Sequence, residues 1–334
     1  MNYDTYGKQE MNKSLKTQSS CAVCVTYNPD ISSLKKGLIS SLSQLDKIYV
    51  VDNGSDCNLN DPLAVFGADR VELISLTDNM GIAAALNVGI KCARSAGFKF
   101  VLLLDQDSVP PAGMIERYLQ VFNDLLDRGQ RVSALGPRYR NPQTGHLSQF
   151  VRFNWFRNSY HSRSADSSVV PADFLISSGS FYDLSVFDDV GLFDEGLFID
   201  HVDTEWFHRA NYRGYQCYGV WDLVMDHSLG EGSLRLWFLR WRRQPIHKSF
   251  RLYFITRNSL LLYRMRHVSL KWISGDVIRL MRLFIVYLIF SSNRKTSISW
   301  MLQGLMDGIN GVTGAGRPFV TKKAPTISCP AQDK

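Results

Sequence analysis

Apolar and polar positions along the first 127 residues fall into alternating short and long blocks. Runs at 21–27, 47–52, 71–76 and 100–105 are nearly continuous in Val, Ile, Leu and Cys, as buried strands are. Between them, 31–44, 81–96 and 112–127 carry apolar residues at helical spacing, the first opened by Asp30 as a capping residue. Strand, helix, strand in this order predicts parallel βαβ units with helices on both faces of one sheet. The loops that follow the strands must then meet at one edge, where open α/β sheets bind ligands. Those loops are polar: Asn28-Pro29, Asp52-Asn53-Gly54-Ser55, Asp78-Asn79-Met80-Gly81 and Asp105-Gln106-Asp107.

Beyond Gly136-Pro137 the pattern loosens. Residues 141–168 are rich in Ser, Arg, Asn and aromatics and read as a loop or insertion over the site. An acidic segment at 187–205 leads into a helix ending near Arg213, a short strand follows at 215–220, and 234–310 reads as mostly helical. The expected organisation is a tail at 1–20, an α/β body at 21–233, a helical region at 234–316 and a second tail at 317–334.

Composition refines this picture. A chain of 334 residues, 45% hydrophobic, can bury one large core or two modest ones. The first twenty residues lack the apolar stretch of a secretory signal, so a cytoplasmic location is expected. Six scattered cysteines point to free thiols, and the Cys21-x-x-Cys24 pair lies inside a strand with no second pair to complete a zinc site. The net charge of +7 is concentrated late: 231–295 holds 14 Lys or Arg against 2 acids. Trp, Tyr and Phe are interleaved with these cations, and 280–290 is strongly aliphatic yet too short to span a bilayer. That mixture predicts an anionic membrane surface as partner, and no nucleic acid.

Candidate chemistry centres on the strand at 100–105, which ends in Asp105-Gln106-Asp107. Two carboxylates at such an edge suit Mg²⁺ or Mn²⁺ shared with a substrate diphosphate, because these ions take hard oxygen ligands. Downstream, Asp200, His201, Asp203 and Glu205 offer acids and an imidazole for proton transfer; Asp200 and Asp203 would share one helix face.

Five ordered motifs carry a resemblance: Val25-Thr26-Tyr27-Asn28, Val50-Val51-Asp52-Asn53-Gly54-Ser55, the run from Asn79 to Asn87, Leu104-Asp105-Gln106-Asp107-Ser108, and the run from Phe198 to Trp206. Over about 21–233 the chain resembles the inverting GT-A glycosyltransferases of family 2, and within them bacterial rhamnosyltransferases of surface-polysaccharide assembly. The resemblance implies a GT-A fold: a Rossmann-like mixed sheet, mostly parallel, with helices on both faces and here a basic helical C-terminal region. It also implies a dTDP-sugar donor, or a UDP-sugar, with transfer of L-rhamnose to a lipid-linked saccharide on the inner face of the cell membrane, as in O-antigen assembly. A non-catalytic membrane scaffold is the contrasting reading.

By the same resemblance Thr26, Asn28, Asp52, Asn53, Asn79, Gly81 and Asn87 contact the donor nucleotide. Asp105 meets its ribose or the metal, Asp107 is the metal ligand, and His227 stands where relatives place a further ligand. The base is Asp200, Asp203 or His201. This sequence departs there from the common Glu-Asp-x-Asp pattern, with His201 standing where the usual carboxylate falls.

Overall fold

The structure is a computed structural model that describes residues 19–142, 144–161, 168–226, 233–238, 240–245 and 248–316. Its core is an eight-stranded sheet. In chain order the elements of the parallel half are β1 (Ser20–Thr26), α1 (Ile31–Leu42), β2 (Lys47–Asp52), α2 (Asn60–Leu63), β3 (Val71–Ser75), α3 (Ile82–Ser95), β4 (Phe100–Asp105) and α4 (Met114–Asp127). They are followed by β5 (Val132–Arg140), β6 (Val151–Asn154), β7 (Arg157–Tyr160), β8 (Val169–Ala172), β9 (Phe181–Asp183), α5 (Val186–Val190), α6 (Val202–Tyr212) and β10 (Gln216–Asp226). The strand order is β3-β2-β1-β4-β9-β5-β10-β8. β3, β2, β1 and β4 run parallel, β9 is inserted antiparallel between β4 and β5, and β8 closes the far edge antiparallel to β10. Because β2 lies on one side of β1 and β4 on the other, the chain reverses its winding at β1, and the crevice at that switch point is the expected ligand edge.

Strand alternation explains the two cores. Cys21, Val23 and Val25 pack on one face with α3 and α6, whereas Ala22 and Cys24 pack on the other with α1 and α4. Cys21 and Cys24 therefore point to opposite sides of the sheet, and burial raises both thiols far above their ordinary range. Together with Cys57 and Cys217 they are free. Leu102 and Leu103 are wholly buried, one on each face, which stabilises the fold by roughly 2 kcal/mol per side chain. This apolar run holds β4 in register and fixes where its terminal Asp105 emerges.

The 141–168 segment contains a structured hairpin, β6 paired with β7. A second difference from expectation follows β10. The region read as mostly helical opens with an antiparallel hairpin, β11 (Ser233–Phe238) and β12 (Arg240–Pro245). Alternation at Leu234-Arg235-Leu236 carried that signal, and the density of basic and aromatic residues obscured it. The helices come after: α7 (Ser249–Tyr263), α8 (Leu270–Phe290) and α9 (Arg294–Ile309). α7 and α9 pack backbone to backbone, since a Cβ on Gly304 would fall 2.4 Å from the Tyr253 carbonyl. Among the described residues no helix is long and apolar enough to cross a membrane. Residues 1–18 of the expected 1–20 tail, all of the expected 317–334 tail and His227 lie outside the described residues, while Ser20 already opens β1.

Candidate active site

The ends of β1 and β2 lie side by side, Thr26 opposite Asp52. Both are buried, and the Thr26 hydroxyl donates to Asp52 Oδ1 at 3.1 Å. Ser55 turns back to the same carboxylate, through its N–H to Oδ2 at 3.3 Å and through its hydroxyl to Oδ1. Asn28 takes a left-handed backbone (φ 48°) and clasps the facing loop: its N–H donates to Ser55 Oγ at 2.7 Å, and its Oδ1 accepts from the Asp56 N–H at 2.8 Å. One loop further, Asn53 Nδ2 donates to Asn79 Oδ1 at 3.0 Å, which also accepts from the Gly81 N–H. The Met80 N–H closes the circuit on Asn53 Oδ1.

Gly81 has φ +85°, and a Cβ there would sit 2.6 Å from the Phe198 carbonyl, which accepts the first free N–H of α3 from Ile82. Thr26, Asn53, Asn79, Gly81 and Asp105 line one cleft of about 260 Å³ with Tyr27, Gln106, Phe198 and Phe250. Asn87 lies elsewhere. It is buried in α3 with its amide committed to the Phe193 backbone and Glu195, and it anchors the chain before the Phe198 loop.

The acids gather beside this cleft. Burial and the neighbouring Asp107 push Asp105 up to about 6, against the pull of Arg251. Asp107 is exposed at the rim, and Ser108 beneath it shares a 2.5 Å hydrogen bond with Ser178. Val109 then bridges to Asp226, the last described residue of β10. From the other wall comes Asp203, on the first turn of α6. Burial pushes it up to about 6, partly offset by the Ser177 hydroxyl and N–H that donate to its two oxygens, while Asp105 and Asp200 add like charge. Asp200 is gripped by Arg251, whose Nη2 and Nε reach its two oxygens at 2.5 and 3.3 Å. Among the described residues no three Asp, Glu, His or Cys side chains converge as a metal-binding set. Asp105 and Asp107 still offer hard oxygen donors whose mutual repulsion a divalent cation would relieve.

Two candidates are set apart. His201 turns its ring to Trp272, and its Nε2 lies 3.1 Å from both Ser259 Oγ and Arg279 Nη2. Burial pushes it down to about 4, so it is neutral, and an Nε2 that accepts from Arg279 places the ring proton on Nδ1. Glu205 is buried on the inner side of α6; burial alone would raise it, but hydrogen bonds from His267 and Arg209 win and hold it below its ordinary range. It joins α6 to the segment before α8.

The backbone carrying Asp200 is strained. Phe198, Asp200 and His201 all have φ between 61° and 64°, at a cost of about 1–2 kcal/mol each for residues with a Cβ. Helix α7 holds them there: Asn258 Nδ2 lies 2.8–2.9 Å from the carbonyls of Leu197, Ile199 and Asp200, and the buried Arg257 donates to those of Gly196 and Leu197. Arg251, Arg257 and Asn258 are absent from the residues singled out by sequence. For Arg257 and Asn258 the signal is the polar Thr256-Arg257-Asn258-Ser259 run inside an otherwise mostly apolar helix.

This arrangement, a reversing α/β sheet whose strand ends gather polar loops and acids around one cleft, is the ligand-binding edge of an open α/β fold. The family model for Glycosyl transferase family 2 matches residues 21–191, and the chain belongs to that family. It is 32% identical over 301 residues to the dTDP-rhamnosyl transferase RfbF of Shigella flexneri, covering 89% of this chain and 97% of that one. It is 27% identical over 188 residues to a pre-mycofactocin glycosyltransferase of Mycobacterium tuberculosis, covering 55% of this chain and 38% of that protein. Staphylococcus aureus TarS shares the fold with a TM-score of 0.53 at 14% identity, over 88% of this chain and 49% of that one.

Proposed function

We propose that the protein is an inverting glycosyltransferase that moves L-rhamnose from dTDP-L-rhamnose to a saccharide acceptor. The observation that carries this reading is the pair Asp52 and Asp105 at strand ends flanking β1, with Asp107 and Asp203 beside Asp105, in a chain 32% identical along most of its length to a dTDP-rhamnosyl transferase. In this reading Thr26, Asn28 and Asp52 hold the nucleotide base and ribose, Asp52 as an acceptor already oriented by Ser55. Asn53, Asn79 and Gly81 shape the wall along the diphosphate. Asp107, with Asp105, would hold Mg²⁺ or Mn²⁺, which supplies charge neutralisation on the departing dTDP. Asp203 takes the proton from the attacking hydroxyl. Support for Asp203 over Asp200 is chemical: a carboxylate raised to about 6 is better matched to a neutral working pH, and both oxygens of Asp200 are engaged by a permanent cation. Asp200 then positions Arg251, and His201 faces away from the donor cleft.

The proposal extends to a lipid-linked acceptor at the inner face of the cell membrane. The support is on α8, where Val277, Met281, Ile285, Leu288 and Ile289 form an exposed apolar stripe in the basic third of the chain. Donor choice is tested by isothermal titration with dTDP-L-rhamnose and UDP-glucose in the presence of MgCl₂. The dTDP-sugar is expected to bind at least 10-fold more tightly; equal or reversed affinities would favour a UDP-hexose enzyme.

A further inference from the structure

A second cleft, of about 570 Å³, lies between the β6–β7 hairpin and α8, and shares one wall with the site just described. The shared wall is the first turn of α6. Asp200 and Asp203 meet Arg251 and Ser177 on the donor side, whereas His201 and Thr204 line this second cleft. The hairpin tip is fixed to α8 by the Phe156 N–H, which donates to Ser274 Oγ at 2.9 Å, so the cleft has two held walls.

Its lining is specific in chemistry. Phe156 and Tyr160 are 65% and 57% exposed, unusual for aromatics on a docked hairpin, and Trp272 forms part of the floor. Charge is equally telling. Asp276 is matched by Arg279 at 2.6 Å and also accepts from Tyr263, and the buried His201 is neutral. Arg282 has no ion pair or hydrogen bond among the described residues, which leaves the cleft with one unmatched cation.

We propose that this cleft binds a sugar ring carrying an anionic substituent, a phosphate or a carboxylate, with the ring against Phe156 and Tyr160 and the anion on Arg282. A pyranose has an apolar C–H face suited to aromatic side chains, and a guanidinium grips either oxyanion in a two-pronged fashion. Its role as the acceptor subsite rests on the glycosyltransferase reading, because His201 and Thr204 of this cleft flank Asp203 at the start of α6.

The test is isothermal titration of the full chain, with dTDP and MgCl₂ saturating the donor cleft. The probes are glucose 1-phosphate, glucuronic acid, methyl glucoside and inorganic phosphate. At least one anionic sugar is expected to bind 10-fold or more tightly than methyl glucoside or phosphate, and the tighter of the two identifies the substituent. Arg282→Gln removes that preference, and Tyr160→Ala weakens the anionic sugar at least 5-fold; dTDP affinity is unchanged in both. Equal binding of the neutral glycoside, phosphate alone binding as well as the sugar phosphate, or a preference that survives Arg282→Gln would overturn the proposal. A wild-type chain that fails to bind dTDP counts against the donor reading alone, since the Arg282→Gln comparison still reports on the cleft.

Discussion

Asp203, the proposed base, is a carboxyl whose burial is costly to the fold and whose raised pKa suits proton transfer. Its folded value near 6 lies above that of the unfolded chain, so it favours folding fully below about pH 4, and that contribution is lost as pH rises through 6. Asparagine carries no such penalty. Asp203→Asn is therefore expected to raise Tm at pH 8 and leave it nearly unchanged at pH 4, while turnover falls by about 10²–10⁴. Wild-type kcat/KM should fall as pH drops through about 6, where the base becomes protonated, and the residual activity of the variant should lose that limb. Asp200→Asn should retain more activity than Asp203→Asn under the same assay; the reverse order would return the base to Asp200. Thermal melts and pH–rate profiles on the two variants decide between them.

At the scale of elements, the site exists because α7 holds a strained loop. Three residues with a Cβ sit at positive φ in this loop, Phe198 the most unfavourable of them, and the carbonyls of Leu197, Ile199 and Asp200 are held there by Asn258. Asn258→Ala should destabilise the protein by about 2–3 kcal/mol, since buried acceptors lose their donor, and should lower kcat at least 10-fold as the loop relaxes. Thermal denaturation and turnover measured together check both parts; unchanged kcat would uncouple the loop from the reaction. Legibility followed the physics at this scale. The strands, their order in βαβ units and the polar loops after them were readable because burial on both faces leaves unbroken apolar runs. Thr26, Asp52, Asn53, Asn79, Gly81 and Asp105 meet as the topology requires. Arg251, Arg257 and Asn258 were not legible, because their partners are carbonyls and a carboxylate some 50–60 positions earlier, and no local periodicity encodes such a contact. Asn87 read as a ligand for the opposite reason: a polar residue in a motif looks the same whether it faces donor or backbone.

Across the whole molecule, one chain joins a polar strand-end edge, a strained acid loop and a basic helical region whose α7 braces that loop and whose α8 presents an apolar stripe. If that stripe meets lipid, Ile285→Glu should abolish co-sedimentation with vesicles containing anionic phospholipid and leave dTDP affinity intact. Wild-type protein remaining in the supernatant would remove the membrane from the account. If the acids at the end of β4 hold the donor through a divalent cation, titration of dTDP with and without MnCl₂ reads that directly. Wild type should bind at least 10-fold more tightly with the metal, and Asp107→Ala should bind with equal, weak affinity in both conditions. A wild-type affinity indifferent to metal, or an Asp107→Ala chain that keeps the full metal enhancement, would contradict it.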